Sequence, residues 1–369
     1  MDGCPYTLIN DTAFLDRMAE SVTRGRVPAA GSIDLTHRCN LRCVHCYAGA
    51  ARCGDGGANE LTTGQWHAII DDITAAGCLF LLLSGGEPLL RPDFPGIYTH
   101  AKLSGLLVTV FTNGTLVSDS VAALFADLPP HGVEVSVYGA TAAVYERVTG
   151  VAGSYRRCMN GIDRLAAAGV RYGLKTILMT LNAEELTAMR AMADARGVDF
   201  RFDPAIFPRL DGDKGPIDLR VDPQLAVACE LDDPEALRQW ADYYDTMKDC
   251  PVLETLYGCG TGQSAFHIDP AGFLQPCLLV DSPRYDLKSG SFMEGWEKVI
   301  PAVRQRRAGA GFGCNACPKR VLCGMCPAFF RLENGDEESH SPYLCALGTH
   351  RLERILEYRK GEDRHDRQG

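Results

Sequence analysis

The chain has 369 residues, 46% of them hydrophobic, and carries 37 basic and 47 acidic side chains, which gives a net charge of −10. These values fit a folded globular protein of about two domains, and the acidic balance gives no general attraction to nucleic acid or anionic lipid. No apolar run approaches the ~20 residues of a membrane helix, and the first residues lack the pattern of a secretory signal. We therefore expect a cytoplasmic protein, in which sixteen cysteines indicate metal or redox chemistry more than disulfides.

Strand-like and helix-like segments alternate from residue 31 to about residue 204. Strands are predicted at residues 31–36, 78–83, 106–112, 133–138, 171–179 and 198–203. Helices are predicted at residues 63–76, 93–104, 119–127, 154–168 and 183–196. The alternation favours an α/β fold with parallel strands, and six strands fit either a partial barrel or an open sheet. Both architectures bind ligands at the carboxyl ends of their strands.

The chain changes character after residue 207. Residues 208–223 are rich in Pro, Gly and Asp and are predicted to form a linker, followed by a helix at about residues 234–248. From Cys259 to Cys345 the sequence is dense in Cys, Gly and Pro, so we expect little buried apolar surface and a need for metal. A last helix is predicted at residues 343–360, followed by a disordered charged tail. The predicted segments are an arm (1–30), a barrel (31–207), a linker and bridging helix (208–258), a cysteine-rich domain (259–350) and a helix end with its tail (351–369).

Three cysteines follow the first predicted strand at the spacing C-x3-C-x2-C: Cys39, Cys43 and Cys46. Thiolates at this spacing can hold three corners of a [4Fe–4S] cube from one short loop, whereas an electron-transfer cluster has four cysteine ligands. The nearest further cysteine, Cys53, does not lie at a close motif spacing. One iron would therefore stay open, as at a catalytic metal site. The alternatives are a zinc site or three core cysteines.

The second predicted strand runs into Ser84-Gly85-Gly86-Glu87-Pro88. Two glycines at this point would let the backbone approach a ligand closely, and Glu87 could accept a hydrogen bond from a ligand ammonium. Alone, such a turn is common. Polar residues also occur at later strand ends and in the segment that follows one of them, where a turn or a solvated side chain is the alternative reading: Asn113, Ser136, Arg147 and Lys175.

The two motifs together resemble the signature of the radical SAM superfamily: Cys39-x3-Cys43-x2-Cys46, with the aromatic His45 before the last cysteine, and Gly85-Gly86-Glu87-Pro88 about forty residues later. The resemblance implies a partial (β/α)6 barrel whose open iron chelates the amino and carboxylate groups of S-adenosylmethionine (SAM). Reduction of the sulfonium would yield a 5′-deoxyadenosyl radical that abstracts hydrogen from a substrate. It also implies that the Gly-Gly-Glu-Pro motif contacts the methionine amino group, and that Asn113 and Ser136 contact the ribose or the carboxylate.

A second group of seven cysteines lies towards the other end of the chain: Cys259, Cys277 in Gly272-x4-Cys277, Cys314-x2-Cys317-x5-Cys323-x2-Cys326, and Cys345. The two C-x2-C pairs could bind zinc. However, zinc ribbons typically separate such pairs by about 15–20 residues, and zinc would leave three of the cysteines without a role.

The order of these cysteines resembles the SPASM domain, a carboxyl-terminal extension of certain radical SAM enzymes with two auxiliary [4Fe–4S] clusters. That family often has three residues before the fourth clustered cysteine, where this chain has two. The resemblance implies three clusters in all. One auxiliary cluster would use Cys314, Cys317, Cys323 and Cys345, and the other would use Cys259, Cys277 and Cys326. The eighth ligand position could be filled by Cys250 or left open to a substrate thiolate or water.

SPASM-bearing enzymes typically modify peptides or proteins, so the resemblance implies that a ribosomally synthesised peptide or protein is crosslinked or otherwise functionalised at a C–H bond.

The sulfatase-maturing branch carries an Asp directly after the cysteine that matches Cys277, where this chain has Leu278; Asp281 lies four residues from Cys277. About thirty residues precede the first strand, too few for a fused peptide-recognition domain, so we expect a precursor peptide to be bound by a separate recognition protein or by the enzyme's own surface.

A reducing donor such as flavodoxin or ferredoxin would supply the electron, and no nucleic-acid or membrane partner is expected. No catalytic side chain is predicted beyond the cluster ligands. The alternatives are sulfatase-maturase-like oxidation, radical chemistry on a small metabolite, and a non-enzymatic metal-stapled scaffold or electron carrier.

Overall fold

The computed structural model describes residues 11–49, 59–251 and 254–366. Cys53, residues 1–10 of the predicted arm and the last three residues of the predicted tail lie outside this part of the chain.

One open sheet organises the described chain. Its strands are β1 (Ala30–Asp34), β2 (Phe80–Ser84), β3 (Leu107–Thr112), β4 (Gly132–Ser136), β5 (Tyr172–Ile177), β6 (Phe200–Asp203), β7 (Ala265–Ile268), β8 (Phe273–Gln275) and β9 (Tyr285–Asp286). Their order is β6-β5-β4-β3-β2-β1-β7-β8-β9. Neighbours from β6 to β7 pair in parallel, whereas β8 and β9 are antiparallel additions. The six predicted strands are therefore present, and the sequence missed three more.

Helices follow most of the parallel strands as crossovers. The described helices are α1 (Asp11–Gly25), α2 (Thr63–Ala75), α3 (Phe94–Leu103), α4 (Asp119–Asp127), α5 (Ala142–Thr149), α6 (Ser154–Ala167), α7 (Leu186–Asp194), α8 (Pro223–Glu230), α9 (Pro234–Met247), α10 (Phe292–Glu294), α11 (Pro327–Asn334) and α12 (Pro342–Asp366). None of them is long and apolar enough to cross a lipid bilayer.

Helix α5 was not predicted. It has only eight residues, with Thr141 as its N-cap and Gly150 in the left-handed conformation (φ 67°) at its carboxyl end. Residues 208–223 are also more ordered than a linker, because they contain a 3-10 helix at Gly215–Leu219 with a buried Pro216. The predicted disorder of the tail is wrong for residues 361–366, where α12 continues to Asp366.

Strand alternation separates the apolar core from an interior cavity. Leu81 and Leu83 of β2 and Val133 and Val135 of β4 are at most 1% exposed and belong to the core shared with the helices. Successive strand residues point to opposite faces, so the residues between them face the other side of the sheet. Ser84 and Ser136 occupy such positions, and both line the cavity described below.

The cysteine-rich segment buries more apolar surface than we expected from the sequence. Phe266 of β7, Phe292 and Trp296 are at most 2% exposed and pack together, with ring centroids 4.8–6.3 Å apart. Phe292 and Trp296 are stacked, and Phe266 meets both of them edge to face. These side chains belong to the same core as the helices of the barrel. The expectation was wrong because the apolar residues are spread over a short strand, a helical turn and loops, so that no long apolar run marks them.

Candidate active site

The loop that carries the first three cysteines leaves β1 and is fastened on two sides by backbone hydrogen bonds. On one side, Arg42 N donates to Thr149 O (2.8 Å) and Val44 N donates to Val148 O (3.0 Å) at the end of α5. On the other, Gly86 N donates to Thr36 O (2.7 Å) and Glu87 N donates to Arg38 O (3.0 Å) after β2. The loop is therefore held between two elements that are distant in sequence.

Gly85 and Gly86 are required by this close approach. Gly85 has φ 122°, and a Cβ there would lie 2.2 Å from Thr36 O. A Cβ on Gly86 would lie 2.3 Å from Arg38 O and 2.5 Å from His37 O. The backbone that approaches these glycines is thus that of the cysteine loop, which the sequence alone did not reveal.

A cavity of about 470 Å³ lies inside the sheet at this end. It brings together eight of the motif and strand-end residues singled out from the sequence: Cys39, Cys43, Cys46, Gly85, Gly86, Asn113, Ser136 and Lys175. Glu87 and Pro88 are not among its lining residues.

The Glu87 carboxylate is fully buried and engaged by protein donors. It accepts hydrogen bonds from Thr112 Oγ1 (2.8 Å), from Asn113 N (2.7 Å) and from Leu89 N (3.1 Å). Burial raises the pKa of Glu87 to about 7, although these three hydrogen bonds act in the opposite direction. Glu87 therefore joins the ends of β2 and β3, and its contact with a ligand ammonium stays a prediction.

Two donors point at the sulfur of Cys39. Leu41 N lies 3.4 Å and Asn113 Nδ2 lies 3.8 Å from Cys39 Sγ, and Asn113 Nδ2 also donates to Asn40 Oδ1 (2.9 Å). Burial raises the pKa of the Cys39 thiol to about 11, so the sulfur needs compensation to be held as a thiolate. Donors to cysteine sulfur are a common feature of iron–sulfur sites, and this donor set fits such a cluster.

A group of charged side chains from β4, β5 and β6 lies at the cavity; Lys175 was singled out from the sequence, whereas Glu134, Arg201 and Asp203 were not. Lys175 Nζ is 3.6 Å from Glu134 Oε2, and Arg201 pairs with the same carboxylate. Burial lowers the pKa of Lys175 well below its usual value, although Glu134 opposes this shift. Lys175 and Arg201 line the cavity together with Asp203, whose carboxyl pKa is raised by burial.

A further polar group lies where β1 meets β7. Tyr47 donates to Asp34 Oδ2 (3.0 Å), and a 2.9 Å hydrogen bond joins Ser32 Oγ to His267 Nδ1. Burial lowers the pKa of His267. The sequence did not indicate His267 because β7 was not predicted, yet both Asp34 and His267 line the cavity.

Three other residues considered from the sequence have definite positions. Leu278 lines the cavity, whereas the Asp281 carboxylate is paired with Arg331 at 2.8 Å and is not a lining residue. The exposed Arg147 donates to Leu181 O (2.6 Å) and is likewise not a lining residue.

The later cysteines fall into two neighbourhoods. Burial raises the pKa of Cys326 to about 11, and the thiols of Cys277 and Cys259 add to the shift. Burial also raises the pKa of Cys323 to about 11, with contributions from the other set: Cys345, Cys314 and Cys317. This partition coincides with the two ligand sets that the resemblance implies, although the ligand assignment itself stays a prediction.

Cys250 lies beside the later cysteines. The carbonyl of Cys250 accepts from Arg320, whose guanidinium also donates to Asn315 O, so Cys250 borders the loop of the Cys314 set. Among the described residues, no three Cys, His, Asp or Glu side chains converge on a single metal ion.

Known proteins resemble this chain over most of its length. Residues 33–194 match the Radical SAM superfamily. The mycofactocin maturase MftC of Mycobacterium ulcerans is 30% identical over 332 residues, which cover 86% of this chain and 88% of that protein. The AdoMet-dependent heme synthase of Methanosarcina barkeri is 27% identical over 84% of this chain and 94% of that protein.

The fold is shared with a solved structure as well. Streptococcus suis SuiB bound to the precursor peptide SuiA superposes with a TM-score of 0.69 at 16% identity, over 94% of this chain and 83% of that one. The open sheet described above therefore has the architecture of a partial barrel. This chain belongs to the radical SAM superfamily, whose enzymes use a [4Fe–4S] cluster and S-adenosylmethionine.

Proposed function

We propose that this radical SAM enzyme modifies a ribosomally synthesised peptide or protein. The observation that carries the proposal is the similarity to a mycofactocin maturase, which extends over 86% of this chain and so reaches into its cysteine-rich part. The shared fold with SuiB, solved with its precursor peptide, supports it.

Cys39, Cys43 and Cys46 would hold the cluster that binds SAM. The support is that one loop presents all three to the same cavity, with Asn113 and the Leu41 amide donating to Cys39 Sγ. When bound, the cluster and SAM supply the 5′-deoxyadenosyl radical. The chain's own part is to orient SAM with Gly85, Gly86, Asn113 and Ser136.

The same cavity must also protect a radical from water. Its wall includes apolar side chains from several elements: Leu41, Leu82, Phe111, Tyr138, Ile206, Phe207 and Leu278. Such a wall limits quenching by solvent. The polar exceptions, Lys175, Arg201, Asp34 and His267, would position the polar groups of the substrate.

Two auxiliary [4Fe–4S] clusters would occupy the later cysteines. Cys314, Cys317, Cys323 and Cys345 would hold one, and Cys259, Cys277 and Cys326 the other. The position of Cys250 beside the Cys314 set favours an open fourth ligand position over ligation by Cys250. We further propose that the enzyme works in the reducing cytoplasm with a separate electron donor, and that a peptide-recognition protein assists it.

A second candidate substrate is a tetrapyrrole. The heme synthase of Methanosarcina barkeri matches 84% of this chain at 27% identity, nearly the extent of the maturase match. A small-molecule reaction is therefore the alternative to peptide maturation.

Anaerobic reconstitution tests the proposal. We expect about twelve iron atoms per chain, four for each cluster, and release of 5′-deoxyadenosine that depends on dithionite. Mass spectrometry should then detect a mass change in the peptide encoded by a neighbouring short reading frame, but none in an iron porphyrin. Bound zinc without cleavage of SAM would refute the proposed radical SAM activity. A modified porphyrin with an unchanged peptide would identify a tetrapyrrole as the substrate.

A further inference from the structure

The outer surface of the cysteine loop is basic, in contrast to the rest of this acidic chain. Residues 36–49 and 139–162, which meet at the loop, contain five arginines and one acidic residue, although the whole chain has a net charge of −10. Arg38, one of the five, is neutralised by Glu60 at 3.0 Å, and Arg147 donates to a backbone carbonyl. The other three form what we name the loop arginine patch: Arg42, Arg156 and Arg157.

The patch lies directly behind the proposed cluster ligands. Cys39 and Cys43 line the cavity, whereas Arg42, between them in sequence, is exposed. Arg42 packs against the end of α5. Its amide donates to Thr149 O, and its Cβ lies 3.3 Å from the position that a Cβ on Gly150 would occupy. The end of α5 is in turn joined to the start of α6 by the hydrogen bond between Thr149 and Ser154 (2.8 Å).

The start of α6 adds two more positive charges where a helix normally avoids them. Arg156 and Arg157 are exposed in its first turn, which has no acidic residue and no side-chain cap at Gly153. The amino end of a helix already carries partial positive charge, so arginines there oppose the helix dipole. Arginines placed at such a helix end against the dipole are often a sign of a functional surface.

Few negative charges offset this patch. Arg42, Arg156 and Arg157 form no ion pair within the described chain. The nearest acid in the α5 segment is Glu146, which accepts a hydrogen bond from Tyr155 N (3.4 Å). Asp213, which follows the loop's contact with residue 210, is paired with Arg209.

We propose that the loop arginine patch is the docking surface for the electron donor, a small acidic redox protein. The inference rests on the proposed function, because only an enzyme that reduces a cluster at Cys39, Cys43 and Cys46 needs a donor there. A partner seated on Arg42 is separated from those cysteines by the thickness of one loop. Charge complementarity of this kind accelerates association and weakens as salt screens it.

The test compares two reductants on the iron-loaded holoenzyme, using SAM alone and measuring uncoupled release of 5′-deoxyadenosine. One reductant is a purified bacterial flavodoxin in its hydroquinone state, and the other is dithionite. The test variant is the double substitution Arg156→Glu and Arg157→Glu. The control is Lys102→Glu with Arg171→Glu, which changes the net charge equally; Lys102 lies in the last turn of α3, and Arg171 is exposed just before β5 begins.

We expect the test variant to lose about 10-fold or more of the flavodoxin-driven rate at low salt, within the range of electrostatic steering, and to approach wild type at high salt. Its affinity for flavodoxin, measured by biolayer interferometry, should fall in parallel, while its iron content and dithionite-driven rate stay at the wild-type level. A wild-type flavodoxin-driven rate in the test variant, or an equal loss in the control, would overturn the docking surface. The docking surface would also be overturned if the double substitution reduced binding to anionic vesicles but left the affinity for flavodoxin and the flavodoxin-driven rate unchanged. Absence of dithionite-driven cleavage in the wild type would instead refute the proposed function.

Discussion

Replacing Gly86 with alanine should displace the cysteine loop while leaving the fold intact. The new Cβ would lie 2.3 Å from Arg38 O and 2.5 Å from His37 O, so the loop backbone must retreat by about 1 Å to relieve the overlap. Overpacking of this kind costs about 1–3 kcal/mol. The two backbone hydrogen bonds that the turn donates, from Gly86 N and Glu87 N, would weaken at a cost of about 0.5–1.5 kcal/mol each. The total loss of stability, about 2–6 kcal/mol, is mostly below the free energy of unfolding of a folded domain, which is about 5–15 kcal/mol.

The expected outcome is therefore a folded protein with a defective first site. Iron content after anaerobic reconstitution should fall from about twelve towards about eight atoms per chain, with the loss at the cluster whose electron paramagnetic resonance signal responds to SAM. Because a misplacement of about 1 Å can cost 10²-fold in rate, dithionite-driven release of 5′-deoxyadenosine should drop by about that factor.

Gly96→Ala is the matched control. Gly96 lies in α3, and a Cβ there meets nothing within 4 Å. The substitution should raise stability by about 0.5–1 kcal/mol, since alanine favours a helix over glycine, and should leave the iron content unchanged. A Gly86→Ala enzyme with wild-type iron and rate would refute the argument that the glycines exist to admit the cysteine loop.

Three other substitutions probe different parts of the site. Cys43→Ala should abolish cleavage of SAM while iron at the later cysteines remains; undiminished cleavage and product yield would contradict the cluster assignment. Arg220→Met removes an ion pair with Glu333 at 2.7 Å in which each side chain is only 10% exposed, and chemical denaturation should show a loss of about 3–5 kcal/mol because a buried charge is left unpaired. His267→Gln, which removes the ring bonded to Ser32, should change the pH dependence of unfolding. Because burial lowers the pKa of His267, the wild type should lose stability relative to the variant as the pH falls below about 6.5, by up to about 1.4 kcal/mol per pH unit. An equal difference in stability at about pH 7.5 and about pH 5.5 would be evidence against a buried neutral histidine.

The first six strands were readable because each is an apolar run followed by a helix. The three later strands escaped prediction for the opposite reason. With two to four residues each, they are too short to show alternation, and their partners are set by tertiary contacts. Helix α5 failed similarly, since eight residues give little more than two turns of periodicity.

The site was predictable where chemistry depends on spacing along the chain. Cys39, Cys43 and Cys46 could be singled out from their spacing, and Asn113 and Ser136 from their positions at strand ends. Residues whose role arises from distant elements were not. His267 reaches the cavity only through the pairing of β7 with β1. Gly85 was singled out from its motif, but its close approach to Thr36 O of the cysteine loop was not predicted.

The pairing of β7 with β1 also limits how this enzyme can be recombined with its relatives. Residues 30–33 of β1 align with residues 265–268 of β7. The strand that leads into the first cysteines therefore pairs with a strand from the second half of the chain. In a chimera joined near residue 258, β1 and β7 would come from two different proteins. If the two strands did not pair, β1 would become an unpaired edge strand, which is prone to aggregation. A crossover placed after β9 keeps the native neighbour and is the better junction for exchanging the remaining cysteines.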